Sequence, residues 1–381
     1  MSPAGFQSAA PKSVRLRLTG GRVLREGRLW QRSVAIADGR ISRGPLPEVD
    51  MSGYYILPGI VDLYGTGLDQ APDADPVARL AAAEREAAAH GITTAWLSQG
   101  WSREGGAADP GTALAMLEAH GDYASSRALV DLRLALVCDT HTVASRDALL
   151  AAVRRFRVDL VLFADRLSQL GARGPADRPS KEGLCEVASA ARDVPRHLCR
   201  LAEGFDTLGV TYGSLDDRDG ETRETYSMIG AKLCTRPERR SAAALARAVG
   251  DPVLVSSTAI LGAGGAGADR TALDLVRHGM VNALVSDTSY GGLARAAFAL
   301  TRADILPLPE AWSLISAAPA SILRLPDRGV IDYGRRADLA LVNADTREVE
   351  GTIVAGRVAY LSGAAAERFI LSRAEVALAA E

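Results

Sequence analysis

Apolar residues recur at two different periods along this chain, and the period changes twice. In the stretch 14–57, VRLRLTGGRVL and SVAIADGRIS alternate apolar and polar positions, with breaks at Gly20-Gly21 and Asp38-Gly39. Alternation of this kind marks half-buried strands, and Asp-Gly between two such runs predicts a tight hairpin. An apolar run closed by glycine follows, YYILPGIVDLYG. From residue 58 to 330 short apolar runs alternate with Ala/Arg/Glu-rich stretches. The runs ILPGIVDLY, GITTAWLSQG, LRLALVCD, LVLFAD, TLGVTYGS, YSMIGAKLC, PVLVSST and ALVSDTS predict strands. The stretches between them, such as PVARLAAAEREAAAHG, DPGTALAMLEAHGDYASS, SRDALLAAVRRF and SAAALARAVG, predict helices. About eight strands, each followed by a helix, are what a (β/α)8 barrel requires. Strand texture returns at 336–361, and AERFILSRAEVALAA has helical periodicity.

The expected architecture is therefore α/β. A (β/α)8 TIM-type barrel occupies 58–330, and segments 1–57 and 331–381 join as a small β-domain with a C-terminal helix.

Composition narrows the function without naming it. The chain has 381 residues, 48% apolar and 24% charged, an ordinary globular balance. The 44 basic and 46 acidic residues nearly cancel, so no nucleic-acid or membrane-surface partner is expected. No signal-type apolar segment opens the chain and no apolar run reaches membrane-spanning length. A cytoplasmic location follows as the expectation, with the four cysteines, none in a CxxC pair, reduced.

Three stretches carry a resemblance. They are Leu57-Pro58-Gly59-Ile60-Val61-Asp62-Leu63 at the first barrel strand, Gly91-Ile92-Thr93-Thr94 at the second, and Asp327-Arg328-Gly329-Val330-Ile331 with Gly334-Arg335-Arg336-Ala337-Asp338-Leu339 at the exit from the barrel. In this order they resemble the amidohydrolase superfamily, over nearly the whole chain. Ser214-Leu215-Asp216-Asp217, the loop Leu261–Gly267, and Ser286-Asp287 followed by Leu293, Ala296, Ala297 and Phe298 resemble its phosphonate-metabolism (PhnM-like) branch. That branch removes diphosphate from ribose 1-methylphosphonate 5-triphosphate.

The resemblance implies a centre of imidazoles and carboxylates at the carboxyl ends of the strands, where a divalent ion turns bound water into hydroxide. Position by position, this chain departs from it. Tyr64, Arg166, Leu215 and Gly265 stand where the resemblance implies histidines, Thr66 stands where a second His or Asp would, and Leu261 replaces an arginine. Leucine and glycine offer no donor, arginine is a fixed cation, and a phenol with a pKa near 10 is a poor ligand. Asp287 alone matches in type. No metal ligand is expected firmly. Asp139 and Asp165 are the candidates should one divalent ion bind.

The remaining candidates are weighed on their chemistry. Asp287, at a strand-8 carboxyl end, could be a general base, with a structural strand-end carboxylate as the bland reading. His141, in Cys138-Asp139-Thr140-His141, could exchange protons near neutral pH or be a plain loop histidine. Asp62 and Tyr64 at the first strand end, and Asp216 and Asp217 at the fifth, could contact substrate; for Asp62 a structural acceptor at the strand end is the favoured reading, and the Asp216-Asp217 pair could instead bind a cation such as Mg²⁺ or simply form a turn. Arg166 and Lys232 could grip an anion, or supply the positive charge that a lost metal gave to clustered carboxylates. His90, His120 and His278 sit at helix ends before glycine or near it, a structural context. Three functional readings stay open: a hydrolase of the phosphonate branch with an altered metal site, a non-catalytic relative binding an anionic, phosphorylated metabolite or a partner protein, and metal-independent lyase or isomerase chemistry on Asp287. Self-association into a homo-oligomer is compatible with each.

Overall fold

The computed structural model describes residues 13–70, 74–102, 108–165, 192–262 and 271–378. Eight parallel strands follow one another around a barrel: Ile60–Gly65, Ile92–Trp101, Asp131–Asp139, Leu160–Ala164, Thr211–Leu215, Leu233–Thr235, Val253–Ser256 and Ala283–Val285. The ladder runs in sequence from first to eighth strand. The seam between the eighth and the first is closed just beyond the strand ends. There the Asp287 amide donates to the Tyr64 carbonyl at 3.0 Å, and the Thr66 amide to the Asp287 carbonyl at 2.7 Å. The barrel fold expected from the alternating texture is thus the observed one.

Alternation within each strand decides which side chains fill the barrel. Val61, Leu63, Trp96, Ala135, Val137, Leu160, Leu162, Leu233, Leu254, Ala283 and Val285 form the interior cluster. Their neighbours one position away, such as Leu134, Leu136, Cys138, Val161 and Phe163, face the helices. The helix Ala317–Ile322 and the turn after it close the amino-terminal end, with Ala320 in the interior cluster and Leu323 and Leu325 against it.

Both chain ends build the β-domain. One sheet has the order Arg40–Ser42, Val34–Ala37, Leu16–Thr19, Glu48–Asp50. The other has Arg357–Leu361, Val349–Val354, Leu339–Asn343, Tyr54–Pro58, Arg22–Arg25, Arg28–Gln31. Leu18, Ile36 and Val49 from one and Val23, Ile56, Leu341 and Ile353 from the other share a buried core with Phe369 of the helix Gly363–Leu378. The Asp38-Gly39 hairpin forms as the pattern predicts, with φ of 52° and 76° at its two central residues.

One predicted strand is corrected. The apolar run 226–234 is not extended throughout. Asp219 caps a helix over Gly220–Met228 by accepting from the Thr222 amide at 2.9 Å, and the strand starts only at Leu233. A cap satisfies a free helix-terminal amide, and that outweighs the β propensity of Tyr226 and Ile229. Among the described residues no helix is long and apolar enough to cross a membrane.

Candidate functional site

Barrel chemistry sits at the carboxyl ends of the strands, and at three of those ends this chain does something unusual. Asp216 and Arg236 directly follow barrel strands and Asp287 lies two residues past the last one, and each has a positive φ, of 60°, 55° and 58°. A non-glycine residue in this left-handed region costs about 1 kcal/mol or more, and such strain persists where surrounding structure over-determines it. Here the amides do so. Asp216 N donates to the Thr235 carbonyl at 2.9 Å, Arg236 N to Leu254 at 2.7 Å and Asp287 N to Tyr64 at 3.0 Å, so each residue extends the ladder to the next strand.

The three side chains then meet. Arg236 makes a two-pronged contact with Asp216, Nε to Oδ1 and Nη2 to Oδ2, both at 2.9 Å. Its Nη1 donates to Asp287 Oδ1. The other Asp287 oxygen accepts from Ser256 Oγ at 3.0 Å. The guanidinium also lies over the Tyr64 ring, 5.5 Å from its centroid. Burial pulls the Arg236 pKa down, but the fields of Asp216 and Asp287 outweigh it and hold the group above its ordinary value. Arg236 is therefore a permanent cation wedged between two strand-end carboxylates. Beside it the Thr235 hydroxyl is buried without a partner.

Asp62 lies behind this cluster, with none of its surface exposed. Its Oδ1 accepts from the amides of Ser286 at 3.0 Å and Tyr64 at 3.2 Å, and its Oδ2 from Ser286 Oγ at 2.5 Å. Burial pushes the carboxyl up to about 7 against the pull of those donors. It stitches the first strand to the eighth and has no surface to offer a ligand, which fits the structural reading rather than contact with substrate. Tyr64 is 95% covered and serves as the face on which Arg236 rests.

Further round the rim, Asp139 ends the third strand. It accepts from the His141 amide at 3.2 Å and from Ser102 Oγ at 3.4 Å, and lies 3.6 Å from His141 Nδ1. His141 Nδ1 also meets Thr140 Oγ1 at 2.9 Å. Asp165, past the fourth strand, pairs with Arg218 at 3.4 Å. Thus the rim gathers Asp139, Asp165, Asp216 and Asp287, and among the described residues Arg218 and Arg236 are guanidinia in contact with them. Among the described residues no group of three or more His, Cys, Asp or Glu side chains is arranged to hold a metal ion.

Two expected site residues lie elsewhere. Asp217 faces the helices, not the mouth. It accepts from Ser214 Oγ at 2.7 Å and from the fully buried Arg223 at 3.3 Å. Burial raises its pKa, and Arg223 opposes that. Ser214 alternates with the inward Leu215, which carries this pair to the outer wall. Lys232 precedes the sixth strand, so it sits at the amino-terminal face, 62% exposed and 3.7 Å from Asp251. The charge expected of Lys232 at the mouth comes instead from Arg236. Arg166 and Gly265 lie outside the described residues. Cys138 and Cys234 are buried on the outward side, and burial pushes the Cys138 thiol up to about 12, which suits packing rather than nucleophilic attack.

Arg236 drew no attention in the sequence because its neighbourhood, Cys-Thr-Arg-Pro-Glu-Arg-Arg, is one of many arginine-rich stretches in a chain with only three lysines. Its position directly after a barrel strand was the available signal.

No family model matches the chain. It is 28% identical over 332 residues to alpha-D-ribose 1-methylphosphonate 5-triphosphate diphosphatase of Escherichia coli (strain K12), covering 79% of this chain and 87% of that one. In fold it is similar to N-acetylglucosamine-6-phosphate deacetylase from Pasteurella multocida, with a TM-score of 0.64 at 12% identity over 91% of this chain and 99% of the other. It is also similar to dihydropyrimidinase from Brevibacillus agri, with a TM-score of 0.62 at 13% identity over 91% and 95%. At such identities these two structures speak for the barrel with its β-domain and for nothing finer.

Proposed function

We propose that this chain is a member of the phosphonate-metabolism branch of the amidohydrolase superfamily whose mouth binds a phosphorylated metabolite without metal-dependent hydrolysis. The family assignment is supported by the diphosphatase relative and by the three stretches of sequence that carry the resemblance. The loss of hydrolysis is supported chiefly by one observation, the Arg236 clamp on Asp216 and Asp287.

The donor set does not fit a two-metal centre. Tyr64 and Leu215 occupy imidazole positions, and the surviving strand-8 carboxylate is held by a cation and a serine. Both oxygens of that carboxylate are already occupied by donors, so neither is left free to take a bound water. A guanidinium also supplies charge without a site at which water can be ionised.

The rim charge qualifies the ligand. Among the described residues four rim carboxylates stand against two guanidinia, a balance unfavourable to a bare polyanion. A triphosphate ester complexed with Mg²⁺ brings its own compensating charge, and Mg²⁺ is commonly shared between substrate phosphates and one or two carboxylates. The ligand class is therefore a magnesium-complexed phosphorylated metabolite, and the working location is the cytoplasm, where such intermediates are made.

The test uses the full chain with ribose 1-methylphosphonate 5-triphosphate. Thermal unfolding is followed with and without Mg²⁺, alongside an assay of diphosphate release in excess Zn²⁺, Mn²⁺ or Mg²⁺. The expected result is a stabilisation that needs both ester and Mg²⁺, with no diphosphate above the blank. A ligand at 100 times its Kd adds about 2.7 kcal/mol. Sustained diphosphate release with about one or more metal ions bound per chain overturns the reading. Metal-free turnover abolished in Asp287→Asn moves the assignment to base chemistry on that carboxylate.

A further inference from the structure

The guanidinia that touch the mouth carboxylates are paired there, and two without a carboxylate partner among the described residues lie together at the opposite end of the barrel. Beneath the amino-terminal face is an open depression of about 440 Å³, walled by the helix Ala317–Ile322 and the segment that returns the chain to the β-domain. Three arginines line it: Arg324, Arg328 and Arg335. Arg328 is almost fully buried and already engaged by Asp131, Asp327 and the Thr94 hydroxyl. Arg324 and Arg335 have no carboxylate partner among the described residues. The nearby acids are also taken. Asp131 is shared by Arg133, Arg328 and Arg336, and Asp338 pairs with Arg336. The floor is apolar, from Ala317, Ala320, Leu325 and Val330, the last 42% exposed.

We propose that this depression is a second anion-binding site, for a small molecule that carries a phosphate group. Its volume lies within the range of small-ligand sites. The Arg324 and Arg335 guanidinia, with the fixed Arg328 beside them, each present the planar fork of donors by which arginine grips phosphate oxygens. The apolar floor takes the uncharged part of the ligand. Arg324 has a φ of 53°, so the turn presents its side chain from a conformation that the helix alone would not give. The site uses no residue of the mouth and does not depend on the reading of the mouth given above.

Calorimetric titration of the full chain with inorganic pyrophosphate tests it. Saturable binding is expected at low salt. Arg324→Gln with Arg335→Gln should weaken it by at least about tenfold, the equivalent of one lost charge-assisted contact, and Val330→Asp should weaken it independently by adding a negative charge to the floor. Arg155→Gln, which removes an exposed guanidinium from the outer helices, should leave it unchanged. The proposal is overturned if pyrophosphate does not bind, if the double variant binds it as tightly as the parent, or if Arg155→Gln weakens it as much as the double variant does. Preferential binding of an acidic peptide over pyrophosphate at the same residues also overturns it, in favour of a protein-docking surface.

Discussion

Replacing Asp62 by Asn should remove a pH dependence of stability that the fold builds in. The carboxyl is wholly buried, and burial lifts its pKa from an ordinary 3.8 to about 7. The native state therefore holds this proton more tightly than the unfolded chain does. The sign follows from proton linkage: the contribution is fully present below the unfolded pKa, declines as the pH rises, and is gone above the folded pKa. A shift of roughly three units corresponds to about 4 kcal/mol in full, of which roughly 2–3 kcal/mol falls between pH 5 and pH 8. Asn keeps an oxygen for the Ser286 and Tyr64 amides, and the Ser286 hydroxyl can turn to accept from the new amide, so the seam between strands one and eight keeps its bonds. The assay is urea unfolding of parent and Asp62→Asn at several pH values across that range. The stability of the variant relative to the parent should rise with pH by roughly 2–3 kcal/mol. Parallel pH profiles would refute the argument, because they would mean that the carboxyl is already ionised at pH 5 or is solvated in the native state.

Other outcomes follow from the same geometry. Arg236→Gln leaves Asp216 and Asp287 without their cation; with 12–27% of these side chains exposed, solvent screening reduces the loss to about 1–3 kcal/mol, and adding Asp287→Asn should recover part of it in a double-mutant cycle by chemical unfolding. Arg223→Met strips a fully buried guanidinium from Asp217 and Asp251 and should cost about 3–5 kcal/mol, read as a loss of soluble yield and a lowered Tm. Lys232→Gln, at the far face, should change the unfolding free energy by less than about 0.5 kcal/mol and leave ligand-induced thermal shifts as they were. Thiol labelling located by mass spectrometry should find Cys199 reactive in the native protein and Cys138 and Cys234 reactive only after denaturation, given that the first is exposed and the others buried.

The repeating strand–helix texture was readable because each strand must bury one face in the barrel and the other under helices, and that demand writes apolar runs into the chain. The Asp38-Gly39 hairpin was readable for a local reason, since two consecutive left-handed residues favour that dipeptide. The residue types at the strand ends were equally plain, because identity there needs no coordinates. The failures have one origin. Asp216 and Asp217 are adjacent in sequence, yet one faces the mouth and the other the helices. Lys232 and Arg236 are four residues apart, yet a strand between them carries one to each end of the barrel. Asp62 reads in sequence as a strand-end acceptor, but its partner, Ser286 beside the eighth strand, is fixed only when the ladder closes.

Sequence alone determined the architecture of this protein and the absence of histidines where the resemblance implies them, since both depend on residue type and spacing along the chain. Tertiary structure decided which charges meet. Asp216, Arg236 and Asp287 come together from three different strand ends, with 70 residues of chain between the first and the last. An ion pair depends on distances of a few ångströms, and only closing the barrel sets those.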